Sequence, residues 1–163
     1  MTLPAQRLLN LAGFLACVAM MAYALYSQHV LLLDPCPLCI FQRAAVILLG
    51  IVFLTAALHD PAGSGARIYA VLIGLAAAAG VAVAGWHVRL QNLPPEALPS
   101  CGPGLDYILG NFPLREALSL IFKGSGECGE IVWQLLGLSM PAWVVIGMLG
   151  LGFAGLCNNL RRP

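Results

Sequence analysis

Four of the six cysteines in this 163-residue chain fall into two pairs, and their spacing suits thiol–disulfide exchange. Cys36 and Cys39 sit together in Pro35-Cys36-Pro37-Leu38-Cys39, at the mouth of a long apolar run. Cys101 and Cys128 form a looser pair inside the one polar stretch long enough to be an extramembrane domain. A C-x-x-C pair can bind zinc, attach haem, or cycle between dithiol and disulfide. Haem attachment expects a histidine after the second cysteine, and Ile40 stands there. A closed zinc site needs two more ligands; Cys101 and Cys128 are available but lack the compact spacing of a zinc module. The redox reading is therefore favoured, and no metal is expected. Cys17 and Cys157 lie outside both pairs and are expected to be small buried side chains.

The neighbours of Cys39 strengthen this chemistry. Cys39 falls where the second apolar run begins, and a helix N-terminus favours an anion. Arg43 follows at i+4, on the same helix face. Both effects favour the thiolate, the form that attacks disulfides and electron acceptors. Arg43 has an alternative use, snorkelling toward the headgroups, yet an ionisable group within a membrane helix is by default a functional candidate. His87 and Gln91 form another i, i+4 pair, at the loop end of the third run. Lone interfacial histidines are more often structural; beside a redox pair, His87 becomes a candidate for cofactor contact. His29 and His59 lack that context. There is no G-x-G-x-x-G and no P-loop.

Composition dictates what must position these residues. Hydrophobic residues make up 60% of the chain and charged ones 9%, against about 25% charged in a soluble domain. Mean hydropathy is +0.88. The net charge of +1 gives no case for nucleic-acid binding. Four runs, at about residues 8–26, 40–58, 68–86 and 140–156, approach the roughly 20 apolar residues that cross a hydrocarbon core. Without water to satisfy the backbone they should be helices. The predicted fold is an all-α, four-transmembrane-helix bundle, a single integral membrane domain over residues 1–163. Small residues such as Ala76, Gly80, Gly147, Gly150 and Gly155 favour close approach of its helices. The first run resembles a signal peptide, with Arg7 before it and Ala22-Tyr23-Ala24 within it. Its apolar core exceeds the 7–15 residues typical of such peptides, so it is retained as a span.

Four spans place both termini on one side and the two cysteine loops, about residues 27–39 and 87–139, on the other. Arg7, Arg67, Arg161 and Arg162 flank the short side, which the positive-inside rule assigns to the cytoplasm. Loop disulfides persist in oxidising compartments, which points the same way. The expected location is a bacterial inner membrane with periplasmic cysteine loops. In the long loop, residues 93–95 and 99–104 are Pro- and Gly-rich and should be irregular. Leu114, Ala117, Leu118, Ile121 and Phe122 repeat at helical spacing after Pro113, a good first helical residue, and before Gly124, a good stop. This short amphipathic helix is expected to lie in the membrane interface; packing on a protein partner is the alternative.

The stretches Cys36-Pro37-Leu38-Cys39-Ile40-Phe41-Gln42-Arg43, His87-Val88-Arg89-Leu90-Gln91 and Glu127-Cys128-Gly129-Glu130-Ile131-Val132-Trp133 resemble the DsbB family of disulfide-forming membrane oxidoreductases. Leu136-Gly137-Leu138-Ser139-Met140-Pro141-Ala142-Trp143 adds a match before the fourth span. The resemblance covers nearly the whole chain, although Cys101-Gly102-Pro103-Gly104 departs from the familiar pattern. It implies reoxidation of DsbA, a soluble periplasmic thioredoxin-fold oxidase, with electrons passing to membrane quinone. Reduced DsbA would then attack Cys101 of a Cys101–Cys128 disulfide. Cys128 would engage the Cys36–Cys39 pair through Cys36, and Cys39 would be released near Arg43. The acceptor implied is ubiquinone, or menaquinone under low oxygen, held near Arg43, His87 and Gln91 with Trp133 as an apolar wall.

An electron sink is also required on energetic grounds. DsbA has a potential of about −120 mV, and ordinary structural disulfides lie below about −300 mV. Oxidising DsbA with such a bond would be uphill by roughly 8 kcal/mol. Two other readings share some of these features. A vitamin K epoxide reductase-type protein also has several spans and two cysteine pairs, but its quinone-facing pair follows the loop pair. A structural four-span protein with loop-bracing disulfides would resist mild reduction, whereas redox bonds would cycle with quinone.

Overall fold

Each apolar run forms a helix, and each helix outlasts its run. The computed structural model describes residues 3–94, 105–123 and 126–161. Within them the long helices are α1 (Leu3–His29), α2 (Pro37–His59) and α3 (Ser64–Gln91). Between α3 and the last long helix lie α4 (Leu105–Asn111), α5 (Leu114–Lys123), α6 (Gly126–Gly129), β1 (Gln134–Leu135) and β2 (Leu138–Ser139). The last is α7 (Met140–Leu160). The four long helices are long and apolar enough to cross a membrane. At 1.5 Å per residue the 28 residues of α3 reach about 42 Å, beyond a hydrocarbon core of about 30 Å. That overhang is why His87 and Gln91 belong to the helix although they lie past the apolar run.

The bundle follows chain order. α3 packs most extensively on α7, α1 on α2 and α2 on α3, and a lighter α1–α7 contact closes the ring. All four contribute to one core, including Cys17, Leu49, Phe53, Ile73 and Met148. Cys17 is buried there, as expected of it; Cys157 is only half-buried. Outward faces keep large apolar side chains such as Leu58, Ile68, Leu75 and Phe153 exposed, as a lipid-facing surface requires.

Small residues set the helix spacing. A Cβ on Gly155 would lie 2.7 Å from Ile73 Cγ2, and one on Gly152 only 2.6 Å from Ala77 Cβ. Gly150 faces open space instead. Ala77 has no side-chain freedom with which to yield, so Gly152→Val should force α3 and α7 apart. The expected loss is about 1–3 kcal/mol, the usual cost of overpacking. Unfolding of the detergent-solubilised protein measures it; an unchanged midpoint would refute the close-approach account.

The end of the bundle remote from the C-x-x-C pair is held by amides. Gln6 Nε2 and Asn10 Nδ2 both donate to Asn159 Oδ1 at 3.3 Å. Asn159 Nδ2 and Asn158 Nδ2 donate back to Asn10 Oδ1 at 3.0 and 3.1 Å. All four side chains are buried. Bonds in both directions across the α1–α7 seam explain how helices this apolar tolerate four amides, with Asn158 Oδ1 alone left without a partner among the described residues.

The long loop is more structured than its sequence suggested. A two-residue hairpin pairs Gln134 with Ser139 and Leu135 with Leu138. Its turn residues, Leu136 and Gly137, both have positive φ, the geometry of a tight hairpin turn. Trp143 Nε1 donates to Leu135 O at 3.1 Å, tying the hairpin to the start of α7. The expected amphipathic helix is α5, ending at Lys123. Two of the residues assigned to its greasy face are covered by protein: Ala117 and Ile121 join Leu38, Leu90, Ile108 and two cysteines in a second core cluster. Leu120 and Phe122 stay exposed. Trp86 Nε1 fastens α5 by donating to Phe122 O at 2.8 Å, and the Phe41 and Phe122 rings lie 6.0 Å apart. The expected irregular segment around residues 99–104, Cys101 included, lies outside the described residues.

Candidate active site

Two prolines shape the C-x-x-C pair. Pro37 disfavours helical backbone in the residue before it and suits the first helical position. Cys36 accordingly caps α2 from an extended conformation, φ −65° and ψ 163°, while Cys39 falls in the first turn. There the unpaired N–H groups of the helix end favour a thiolate. Cys36 Sγ–H donates to Cys39 Sγ at 3.2 Å. Cys36 is 7% exposed and Cys39 half-buried.

α3 and α6 bring the remaining groups to Cys36. His87 Nε2 lies 3.8 Å from Cys36 Sγ. Cys128, on α6, places its sulfur so that the Cys36, His87 and Cys128 ligand atoms all lie within 4.8 Å of one another. His87 and Cys128 are 3% and 1% exposed. Gln42 Nε2 lies 2.8 Å from His87 Nδ1, a contact that orients the ring with Nε2 toward Cys36.

Beside these sulfurs is a cavity of about 460 Å³, a volume typical of small-molecule sites. Met20, Met21, Val46 and Val144 give it apolar walls, and Cys36, Cys39, Arg43, His87, Gln91 and Trp133 border it. Arg43 reaches it from α2 and is anchored on α1: its guanidinium donates to Gln28 Oε1 and, at 2.9 Å, to Ala24 O. Gln91 Oε1 accepts from Ser139 Oγ at 2.7 Å. The Trp133 ring meets Tyr23 edge-on at 5.8 Å. The cavity therefore combines an apolar body with polar groups of both signs, Arg43 together with Asp34 and Glu130.

Of the eight residues singled out in the sequence, six line this cavity, and Cys128 sits against Cys36 and His87. Cys101 lies outside the described residues. Three contributors escaped the sequence reading: Gln42, which orients His87, Gln28, which holds Arg43, and Ser139, which holds Gln91. Gln42 carried a usable signal, since an amide inside an apolar helix needs a partner.

The seating of α6 depends on α5, because Ile121 packs in the same cluster as Cys36 and Cys128. Ile121→Glu should lift the segment and lower oxidant-driven Cys36–Cys128 cross-linking at least about tenfold, since an unpaired buried carboxylate costs several kcal/mol. Cross-linking is measured with Cys39 and Cys101 replaced by serine. Leu120→Glu, on the exposed side, is the control. Equal yields from both variants would show that α5 does not hold Cys128 in place.

Four membrane-spanning helices, a dithiol heading the second and a third thiol folded over it define a multi-pass membrane protein of the disulfide oxidoreductase class. The chain belongs to the DsbB family: the model described as Disulfide bond formation protein DsbB matches residues 6–157. A Disulfide bond formation protein B of Methylococcus capsulatus is 52% identical over 152 residues, covering 93% of each chain. That of Nitrosococcus oceani is 49% identical, covering 88% of this chain and 85% of its own. That of Chromohalobacter salexigens is 54% identical over 84% of this chain and 80% of its own. No solved structure matches at a significant level.

Proposed function

We propose that this disulfide oxidoreductase, one integral domain in a bacterial inner membrane, reoxidises a periplasmic DsbA-like dithiol protein and delivers the electrons to membrane quinone. The observation that carries this reading is the adjacency of the Cys36–Cys39 dithiol to an apolar cavity with Arg43 and His87 at the same end. The lining suits a quinone: Met, Val and Trp side chains for the ring and tail, and Arg43, His87 and Gln91 for its oxygens. When bound, a quinone supplies a sink for two electrons and two protons.

The protein's own residues then divide the work. Cys101 of a Cys101–Cys128 disulfide takes the attack of the partner's thiolate, forming the mixed disulfide. The partner's second thiol resolves that bond and leaves oxidised, so one disulfide has moved outward and two electrons inward. Cys128, reduced in the exchange, attacks Cys36 of the Cys36–Cys39 disulfide and expels Cys39 as a thiolate; Cys101 then attacks Cys128, restoring the Cys101–Cys128 disulfide and leaving Cys36 and Cys39 both reduced for the acceptor. Arg43, one turn along α2, offsets that charge. His87 Nε2 faces Cys36 Sγ, placed to stabilise negative charge on it. Apolar walls exclude water, which strengthens each of these interactions. Both termini face the cytoplasm in this reading, following the arginine bias.

Family membership supports this reading over a vitamin K epoxide reductase-type protein or a passive disulfide-braced bundle. The test is quinone reduction by purified protein with reduced DsbA as donor. One quinone should be reduced per two DsbA thiols lost. Thiol loss that continues unchanged without quinone would overturn the reading.

A further inference from the structure

We propose that the fully reduced protein holds a soft divalent cation, of the Zn²⁺ and Cd²⁺ class, between Cys36, Cys39, Cys128 and His87, and that the metal-bound form cannot turn over. The proposal rests on the redox reading above in one respect: metal binding and disulfide exchange use the same thiols.

Three of the four ligand atoms, those of Cys36, His87 and Cys128, already cluster; the Cys39 sulfur, beside that of Cys36, stands outside the cluster and must turn toward it to complete a tetrahedron. Zinc bonds to sulfur at about 2.3 Å and to imidazole nitrogen at about 2.0–2.1 Å. Tetrahedral angles then separate ligand atoms by about 3.8 Å for two sulfurs and about 3.6 Å for sulfur and nitrogen. Here Cys36 Sγ and His87 Nε2 are 3.8 Å apart. Cys36 and Cys39 sulfurs are 3.2 Å apart and need to open by about half an ångström. Cys128 Sγ lies within 4.8 Å of the other two groups, so closure takes at most about 1 Å of movement by α6. Three sulfurs and one nitrogen are a common structural zinc set. Sequence spacing did not suggest it, because the ligands come from three elements that only the fold brings together.

The surroundings match the charge and the coordination chemistry. Three thiolates about a dication leave one negative charge; the adjoining cavity is lined by Arg43, which offsets it, and by Asp34 and Glu130, which do not. Ligating histidines are almost always oriented through their other ring nitrogen; Gln42 already bonds His87 Nδ1. Turning its carboxamide over presents Oε1 to an Nδ1–H and leaves the Nε2 lone pair for the metal. Binding exchanges protons for metal: three thiols lose three protons and form three metal–sulfur bonds, with no change of oxidation state. Oxidation to the Cys36–Cys39 disulfide removes two of the four ligands. The site therefore exists only after every active-site thiol is reduced, and a bound cation competes with both disulfide formation and quinone reduction.

Cobalt(II) is the probe, because its visible absorption reports tetrahedral sulfur–nitrogen ligation. Full-length protein in detergent, reduced anaerobically and freed of quinone, should bind one Co²⁺ with an intense tetrahedral spectrum, and Zn²⁺ should displace it. The diamide-oxidised protein should show none. Cys36→Ser and Cys128→Ser should abolish the spectrum, and His87→Ala should weaken affinity at least about tenfold. Cys17→Ala, Cys157→Ala and Cys101→Ser should leave it unchanged. In the turnover assay Zn²⁺ should inhibit the reduced enzyme, with recovery on chelation. A spectrum that persists in Cys128→Ser, or that appears equally in oxidised protein, overturns the proposal. Quinone reduction in metal-free buffer separates the two ideas: turnover without cobalt ligation sinks the metal site alone, and ligation without turnover sinks the redox reading alone.

Discussion

Cys39→Ser is expected to lower quinone reduction by roughly 10³-fold or more, the scale seen when a nucleophile acting within a coupled set is removed, while still accepting electrons from the partner protein. Serine at this position fills the space of the thiol without its redox chemistry. Cys128→Ala should behave differently: without the Cys101–Cys128 disulfide the reduced partner has no bond to attack and stays reduced, whereas the parent protein facing a partner that lacks its second thiol should accumulate a mixed disulfide through Cys101. Cys101→Ser should block electron transfer from the partner and leave the Cys36–Cys39 pair reactive toward quinone. Non-reducing gels distinguish these states: an adduct through Cys36 in place of Cys101 would refute the assigned order. Cys17, buried in the bundle core, and Cys157 should both tolerate alanine with turnover retained.

Arg43→Leu is the second large effect. Negative charge develops on the acceptor oxygens and on the Cys39 sulfur, and one preorganised donor in a water-poor site is worth about 10²–10³ in rate. The apparent KM for quinone should rise and Cys39 alkylation should slow together, because a single guanidinium serves both. Lysine keeps the charge but loses the planar fork, and with it one of the two bonds to Gln28 and Ala24, so Arg43→Lys should retain part of the activity. His87→Ala should give a milder quinone defect with little change at Cys39. Normal turnover of Arg43→Leu at limiting quinone would return Arg43 to the role of a headgroup anchor.

Those assignments differ in how far the sequence alone could carry them. Span number and order were readable because twenty apolar residues in hydrocarbon have only one way to satisfy their backbone. Helix ends were not, since Gln6 and Asn10 look like interruptions until Asn158 and Asn159 supply their partners from the far end of the chain. Cys39 and Arg43 were legible as a pair because i, i+4 spacing is a local geometric fact. The approach of Cys128 to Cys36 was not a local fact, and it depends on α5 being seated by Ala117 and Ile121. Gln42 shows the intermediate case: its presence in an apolar helix announced a need, and only the fold named His87 as the answer.

The buried amides at the remote end have a consequence for how the protein is made. Asn10 and Asn158 are 148 residues apart, so at about 5–20 residues per second the first helix waits roughly 7–30 s for its partner to be synthesised. Until then Asn10 lacks the α7 partners it has in the folded bundle, and a polar side chain without partners is costly in an apolar environment. A truncation after Leu156 withholds those partners permanently, so it should shorten the cellular half-life even though the described residues of the site are all retained.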